Sequence, residues 1–164
     1  MLVPFQQLPD SCRIWLFQSD RTLSPVECTA AAERLSGFLS EWTAHQQELM
    51  ASFDFCENRF VVIAVNEAAT AASGCSLDKL HQTVRALGQE LGVDFFNRML
   101  VTERGPQGDL KVCTLQEAGR RIEEGELKPD ALVFDTTIST VGDYRHLFVK
   151  PLGSTWLSRY QKVQ

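Results

Sequence analysis

Phe60, Val61, Val62, Ile63, Ala64 and Val65 form an unbroken apolar run, and no other stretch limits the fold so strongly. A strand with one wet face alternates apolar and polar residues, so such a run predicts a strand covered on both faces, inside a sheet. It feeds through Asn66 and an alanine-rich loop into Ser73, Gly74, Cys75 and Ser76. Leu77, Leu80, Val84, Leu87 and Leu91 then recur at spacings of three and four, one apolar stripe on a helix. Ser73 or Ser76 is its N-cap and Gly92 its stop, so Cys75 is predicted at a helix N-terminus.

The chain before the run supplies the elements that cover it. Ile14, Trp15, Leu16 and Phe17, within Cys12 to Gln18, read as a first strand between Pro9-Asp10 and Ser19-Asp20. Ser24, Pro25 and Glu27 make a helix start, with an N-cap serine, proline at the first position and glutamate placed to close a capping box. Ala31, Leu35, Phe38, Leu39 and Trp42 carry that helix's core face to about Ala44 or His45, roughly 30 Å at about 1.5 Å per residue. Ala51, Phe53 and Phe55 alternate with Ser52 and Asp54 as a half-exposed strand, and Glu57-Asn58 is a two-residue hairpin loop. Phe96 to Thr102 reads as a fourth strand.

The order β-α-β-β-α-β predicts an α+β fold, a ferredoxin-like sandwich with two helices over one face of an antiparallel sheet. Its third strand is central and its second an edge, as the hydrophobic patterns of the two strands require. From Gly105 the style changes. A turn at Gly105-Pro106-Gln107-Gly108-Asp109 leads to a short strand Leu110 to Cys113, then a helix capped at Thr114 and Glu117 and ending at Gly125. A strand at Ala131 to Phe134 follows, with helical turns started by Thr140 and by Ser154 or Thr155. The expected organisation is a core over 1–104 and a C-terminal α/β extension over 105–164 packed on it, because ~60 residues with few large apolar positions are marginal alone.

Composition sets limits on function. Hydrophobic content of 44% and charge of 23% are ordinary for a soluble globular domain, and no apolar run approaches the ~18 residues that cross a bilayer. The first residues lack a basic region and a long apolar stretch, so the expectation is a cytoplasmic protein with no membrane role. Cys12, Cys28, Cys56, Cys75 and Cys113 are odd in number and scattered, which fits reduced thiols and no metal centre. A net charge of −5, with Arg120-Arg121 the only adjacent basic pair, argues against nucleic acid as a partner. No Walker loop, dinucleotide fingerprint, nucleophile elbow or zinc-protease helix is present, so no cofactor is expected.

Chemistry is predicted where the first helix ends and the second begins, which this topology puts on one edge of the molecule. Trp42, Thr43 and His45 would then meet Asn66, Glu67, Ser73, Gly74, Cys75, Ser76 and Asp78. A helix N-terminus favours a Cys75 thiolate and a helix C-terminus a His45 imidazolium, each by about 0.3–1 kcal/mol when exposed. Cys75 and His45 are thus the candidate catalytic residues of a nucleophile pair, while Trp42, Thr43, Asn66, Ser73, Gly74, Ser76 and Asp78 are candidate ligand contacts. Asp78 opposes a nearby thiolate. The structural alternatives are a packed cysteine, a histidine bonding the last helix carbonyls, a core tryptophan, and an Arg59 making a surface ion pair worth under ~1 kcal/mol.

Trp42-Thr43-Ala44-His45, Asn58-Arg59-Phe60, Ser73-Gly74-Cys75-Ser76 with Asp78, and Asp94-Phe95-Phe96 with Arg98 resemble the blocks of a family of uncharacterised bacterial proteins of similar size. Its members often carry an automatic label of ABC transporter ATPase, which a chain without Walker or Leu-Ser-Gly-Gly-Gln-type motifs does not support. The resemblance implies that the His45 and Cys75 blocks are both family motifs, and it brings no activity with it. The expected role is a cytoplasmic module binding a small anionic ligand or a protein partner, with homo-oligomerisation compatible. The alternative is a thiol-dependent acyl-transfer or hydrolytic enzyme using Cys75 and His45.

Overall fold

Every residue from Phe60 to Val65 is without exposed surface. A fully buried valine, isoleucine or phenylalanine contributes about 1.5–3 kcal/mol, so this strand anchors everything paired with it. A computed structural model describes residues 1–68 and 70–161; Ala69, in the alanine-rich loop, and residues 162–164 lie outside the described residues. The protein is a mixed α+β chain of antiparallel sheets and helices. It divides into two compact units, Met1–Asn97 with Ser139–Asp143, and Arg98–Ile138 with Tyr144–Gln164.

The first unit contains β1 (Arg13–Gln18), α1 (Pro25–Ser40), β2 (Thr43–Ala44), β3 (Gln47–Glu48), β4 (Met50–Cys56), β5 (Phe60–Asn66) and α2 (Gly74–Leu91). Its sheet has the order β1-β5-β4 with both pairings antiparallel, so the apolar run is the middle strand. Glu57 and Asn58 take φ of 55° and 48°, the paired left-handed residues of a tight hairpin turn. On one sheet face Phe17, Ala51, Val61, Ile63 and Val65 pack with Leu35 and Leu39 of α1 and Leu80, Val84 and Leu87 of α2. Ser24 and Ser73 each close a capping box, and Gly92 ends α2 in the left-handed region at φ 65°.

Two expectations need correction. The first helix stops at Ser40, not at Ala44 or His45, with the Glu41 N–H donating to the carbonyls of Phe38 and Leu39. Phe96 to Thr102 does not add a fourth strand to this sheet; residues 96–99 are not in a strand, and the strand that begins at Leu100 pairs elsewhere. The outer edge of β1 is met instead by residues 139–141. The Ile14 N–H donates to the Ser139 carbonyl and the Val141 N–H to the Cys12 carbonyl, each at 2.9 Å, around an antiparallel bridge between Arg13 and Thr140.

The second unit holds β6 (Leu100–Arg104), β7 (Leu110–Thr114), α3 (Leu115–Glu123), β8 (Leu132–Phe134) and β9 (Val149–Pro151); α4 (Val141–Leu147), between β8 and β9 in sequence, has its first three residues in the first unit and the rest in the second. Its sheet order is β7-β6-β8-β9, antiparallel throughout. Residues 104 and 105, the boundary predicted from sequence, lie on the β6–β7 hairpin of this unit. Val101, Ala118, Ile122, Leu127, Val133, Leu152 and Leu157 form its core.

Candidate functional site

Trp42 is the hinge of the predicted site. Its buried ring stands edge-on to Trp15 at 6.3 Å and 5.4 Å from the Phe38 ring, and its Nε1–H donates to the Ser76 carbonyl in the first turn of α2 at 2.9 Å. An indole N–H buried without an acceptor is costly, so this bond fixes where the chain goes after α1. Just beyond, Thr43 pairs with Glu48 and Ala44 with Gln47 in a minimal hairpin of β2 and β3. His45 and Gln46 are its turn, at φ 50° and 65°, and both are exposed. A second tie holds the hairpin to the approach to α2, where the Thr70 hydroxyl donates to Gln47 Oε1 at 2.7 Å.

His45 therefore does not close a helix, which corrects the expectation that a helix C-terminus favours its charged form. The dipole effect fades within the last turn, and α1 ended five residues earlier at Ser40. No hydrogen bond or ion pair joins His45 to Cys75 among the described residues. Cys75 itself is exposed, and none of the five cysteines is in a disulfide.

The start of α2 is arranged by local chemistry. The Ser73 hydroxyl accepts from the Ser76 N–H at 3.2 Å, and the Ser76 hydroxyl accepts from the Ser73 N–H at 2.8 Å. That closed box leaves the N–H groups of Gly74 and Cys75, the first two of the helix, without an acceptor among the described residues, as helix geometry requires of unpaired first-turn donors. A Cβ on Gly74 would meet nothing within 4 Å, and Gly74 and Cys75 are both exposed. Asn66 turns away; its Oδ1 accepts from the Ala68 N–H at 3.0 Å and its Nδ2 lies 3.7 Å from the Met50 sulfur. Glu67 likewise accepts from the Ala72 N–H at 3.0 Å, and Asp78 is exposed on the helix.

The structure thus brings Trp42 directly onto Ser76, and ties the hairpin bearing Thr43 to Thr70 in the approach to α2. Asn66 bonds its own loop instead. Among the described residues, no three His, Cys, Asp or Glu side chains stand close enough to hold a metal ion.

A group that sequence reasoning placed on the surface is buried at the loop between β1 and α1. Arg59 is 7% exposed and makes no surface ion pair; its Nη1 donates to the Ser19 carbonyl at 2.9 Å and its Nη2 to Thr22 Oγ1 at 3.1 Å. Its Nε–H has no acceptor among the described residues, and burial lowers its pKa while the negative charge of Asp20 opposes that shift. The same loop is tied by Arg21, whose guanidinium grips Glu27 and the Leu91 carbonyl, and that grip holds the Glu27 carboxyl at about 2. Asp20 and Asp94 complete it, the Asp94 N–H donating to Asp20 Oδ1 and the Asp20 N–H to the Asp94 carbonyl, each at 3.1 Å. The Asn58-Arg59-Phe60 block carries no signal for this, since an arginine beside an apolar strand can lay its stem on apolar surface and keep its guanidinium in water.

No family model, curated protein or solved structure matches the chain.

Proposed function

We propose that the protein is a binding module that takes a small anion, a carboxylate or phosphate group, on the first turn of α2. The observation that carries this is the pair of open N–H donors at Gly74 and Cys75, beside a hairpin fixed by the Trp42 bond to Ser76. Donors at the start of an 18-residue helix carry its partial positive charge, and no acidic side chain occupies the first turn. Exposed thiol chemistry at Cys75 favours a second reading, an acyl-transfer or hydrolytic enzyme with His45 as base; alkylation of Cys75 against pH, unaffected by His45→Ala, would remove it.

Proline at the first helical position tests the binding reading cleanly, because Gly74→Pro deletes one donor where proline fits a helix. Ser73, at φ −92° and ψ 163°, already has the extended backbone that precedes proline. Titration of the labelled protein with inorganic phosphate and with acetate is expected to shift the Gly74 and Cys75 amide resonances saturably. Loss of one charge-assisted bond of about 1.5–3 kcal/mol weakens the variant roughly 10- to 100-fold. Equal affinity in the variant, or shifts that simply follow ionic strength, would refute the site.

We further read the first unit as a ferredoxin-like frame in which residues 139–141 stand where a fourth strand would lie. The order β1-β5-β4 and the bridge from Arg13 to Thr140 support this. A cytoplasmic setting is supported by five cysteines that form no disulfide, and no helix among the described residues is long and apolar enough to cross a membrane.

A further inference from the structure

The second half of α2 and the loop that follows it enclose a cleft of about 350 Å³ that includes Arg85, Gly88, Gln89, Asp94, Phe95 and Phe96. That is the small end of the range of ligand clefts, about 300–1,000 Å³. The cleft exists because the chain folds back on the helix. Gly92 turns it, the Val93 N–H donates to the Gly88 carbonyl at 2.9 Å, and a Cβ on Gly88 would lie 2.7 Å from the Val93 carbonyl oxygen. Only glycine allows that approach.

Two opposite charges are held in this cleft without neutralising each other. The Arg85 guanidinium lies 4.8 Å from the centre of the Phe96 ring, and that ring is itself fixed against Phe17 at 5.5 Å and His81 at 6.1 Å. Among the described residues Arg85 has no hydrogen bond or ion pair, so its forked donors are positioned by stacking and left open. Asp94 is fixed at both its backbone and its side chain. Besides its two bonds with Asp20, its Oδ1 accepts from the Phe96 N–H at 2.8 Å, which leaves Oδ2 without a donor among the described residues.

A simple anion is repelled here by Asp94 and a simple cation by Arg85. A ligand that satisfies both must carry a carboxylate and an ammonium, with an apolar group for the half-buried Phe96 ring. We propose that the cleft binds a free α-amino acid with an apolar side chain, its carboxylate on the Arg85 fork and its ammonium on Asp94 Oδ2. This site shares no residue with the start of α2 and does not depend on that reading.

The test is an amide-resonance titration of the intact protein with L-leucine and L-phenylalanine, alongside N-acetyl-L-leucine and L-leucinamide, each of which lacks one of the two charges. Saturable shifts at residues 85–96 are expected for the free amino acids, with both blocked forms at least about tenfold weaker. Arg85→Gln and Asp94→Asn are each expected to weaken leucine by a similar factor; asparagine keeps the oxygen that accepts from the Phe96 N–H. Absence of saturable shifts with any free amino acid, blocked forms that bind as tightly, or folded variants with unchanged affinity would each overturn the proposal. If one variant melts early, the blocked ligands on the unaltered protein still decide it.

Discussion

Asp135→Asn isolates one buried ion pair of the second unit with little change of shape. The carboxylate is 6% exposed; its Oδ2 lies 2.7 Å from Lys150 Nζ, while Oδ1 accepts from the Thr137 N–H at 2.9 Å and the Thr137 hydroxyl at 2.6 Å. Asparagine keeps the oxygen that serves Thr137 and turns an NH₂ group toward the ammonium, so donor faces donor and a partly buried charge loses its partner. Breaking a buried pair costs about 3–5 kcal/mol, but Lys150 is 23% exposed and recovers some hydration, which brings the expected loss to about 2–3 kcal/mol. Burial pushes the Asp135 carboxyl up, but Lys150 and the two Thr137 bonds pull it down harder, and the folded-state pKa lies below the ordinary value. A depressed pKa stabilises above the unfolded value of about 3.9, and that contribution is lost as pH falls through the folded value. Urea denaturation followed by exchange of the Val133 amide is therefore expected to give a constant difference between wild type and variant from pH 7 to about 5, shrinking below about 4. A variant within about 0.5 kcal/mol of wild type at pH 7, or a gap unchanged at pH 3, would refute the reasoning.

Two further substitutions probe the frame of the first unit. Trp42→Phe deletes the donor to the Ser76 carbonyl and leaves a smaller ring in the core, for an expected loss of about 2 kcal/mol, and amide exchange at Ala44 and Gln47 should quicken most. Unchanged protection of the hairpin would show that the indole does not hold it. Gly92→Ala forces a side chain into φ 65° and is expected to cost about 1–2 kcal/mol in urea denaturation, whereas Gly74→Ala, with open space around it, changes stability by less than about 0.5 kcal/mol. Equal costs at the two glycines would contradict the backbone assignment.

Local signals were legible wherever the chain's own neighbours decide its shape. The apolar run, the box at Ser24, the stop at Gly92 and the turn at Glu57-Asn58 are short-range chemistry, and each is found where the sequence implied it, while of the two N-cap candidates for α2 it is Ser73 that caps. The end of α1 was not legible. Trp42 falls on the helix stripe, yet its ring is claimed by Trp15, Phe38 and the Ser76 carbonyl, contacts up to 34 residues away in sequence. His45-Gln46 carries no Asn-Gly signal for its hairpin turn, although histidine tolerates the left-handed region better than most residues. The strand expected over Phe96 to Thr102 begins only at Leu100 and runs to Arg104, and which sheet it joins depends on β7 and β8, pairing choices set by distant partners. Arg59 shows the same limit for burial. One charge next to an apolar run does not tell whether loop carbonyls will receive it.

The element that links these observations is α2. Leu80, Val84 and Leu87 hold its inner face in the core with at most 1% exposure, so neither of its ends is free to drift relative to β5. The two ends then differ in what the chain has already satisfied. At the first turn the capping box uses the Ser73 and Ser76 N–H groups and stops there, leaving two donors open toward solvent. At the last turn the Gly88, Gln89 and Leu91 carbonyls are taken by Val93, Gly92 and Arg21, so the helix end offers little and the open groups are side chains, Arg85 and Asp94. The proposed anion site would therefore recognise its ligand by backbone and be blind to side-chain substitution except proline, while the proposed cleft site would use side chains and respond to single-atom changes. The two variant sets are chosen on that difference, and each leaves the other site's donors in place.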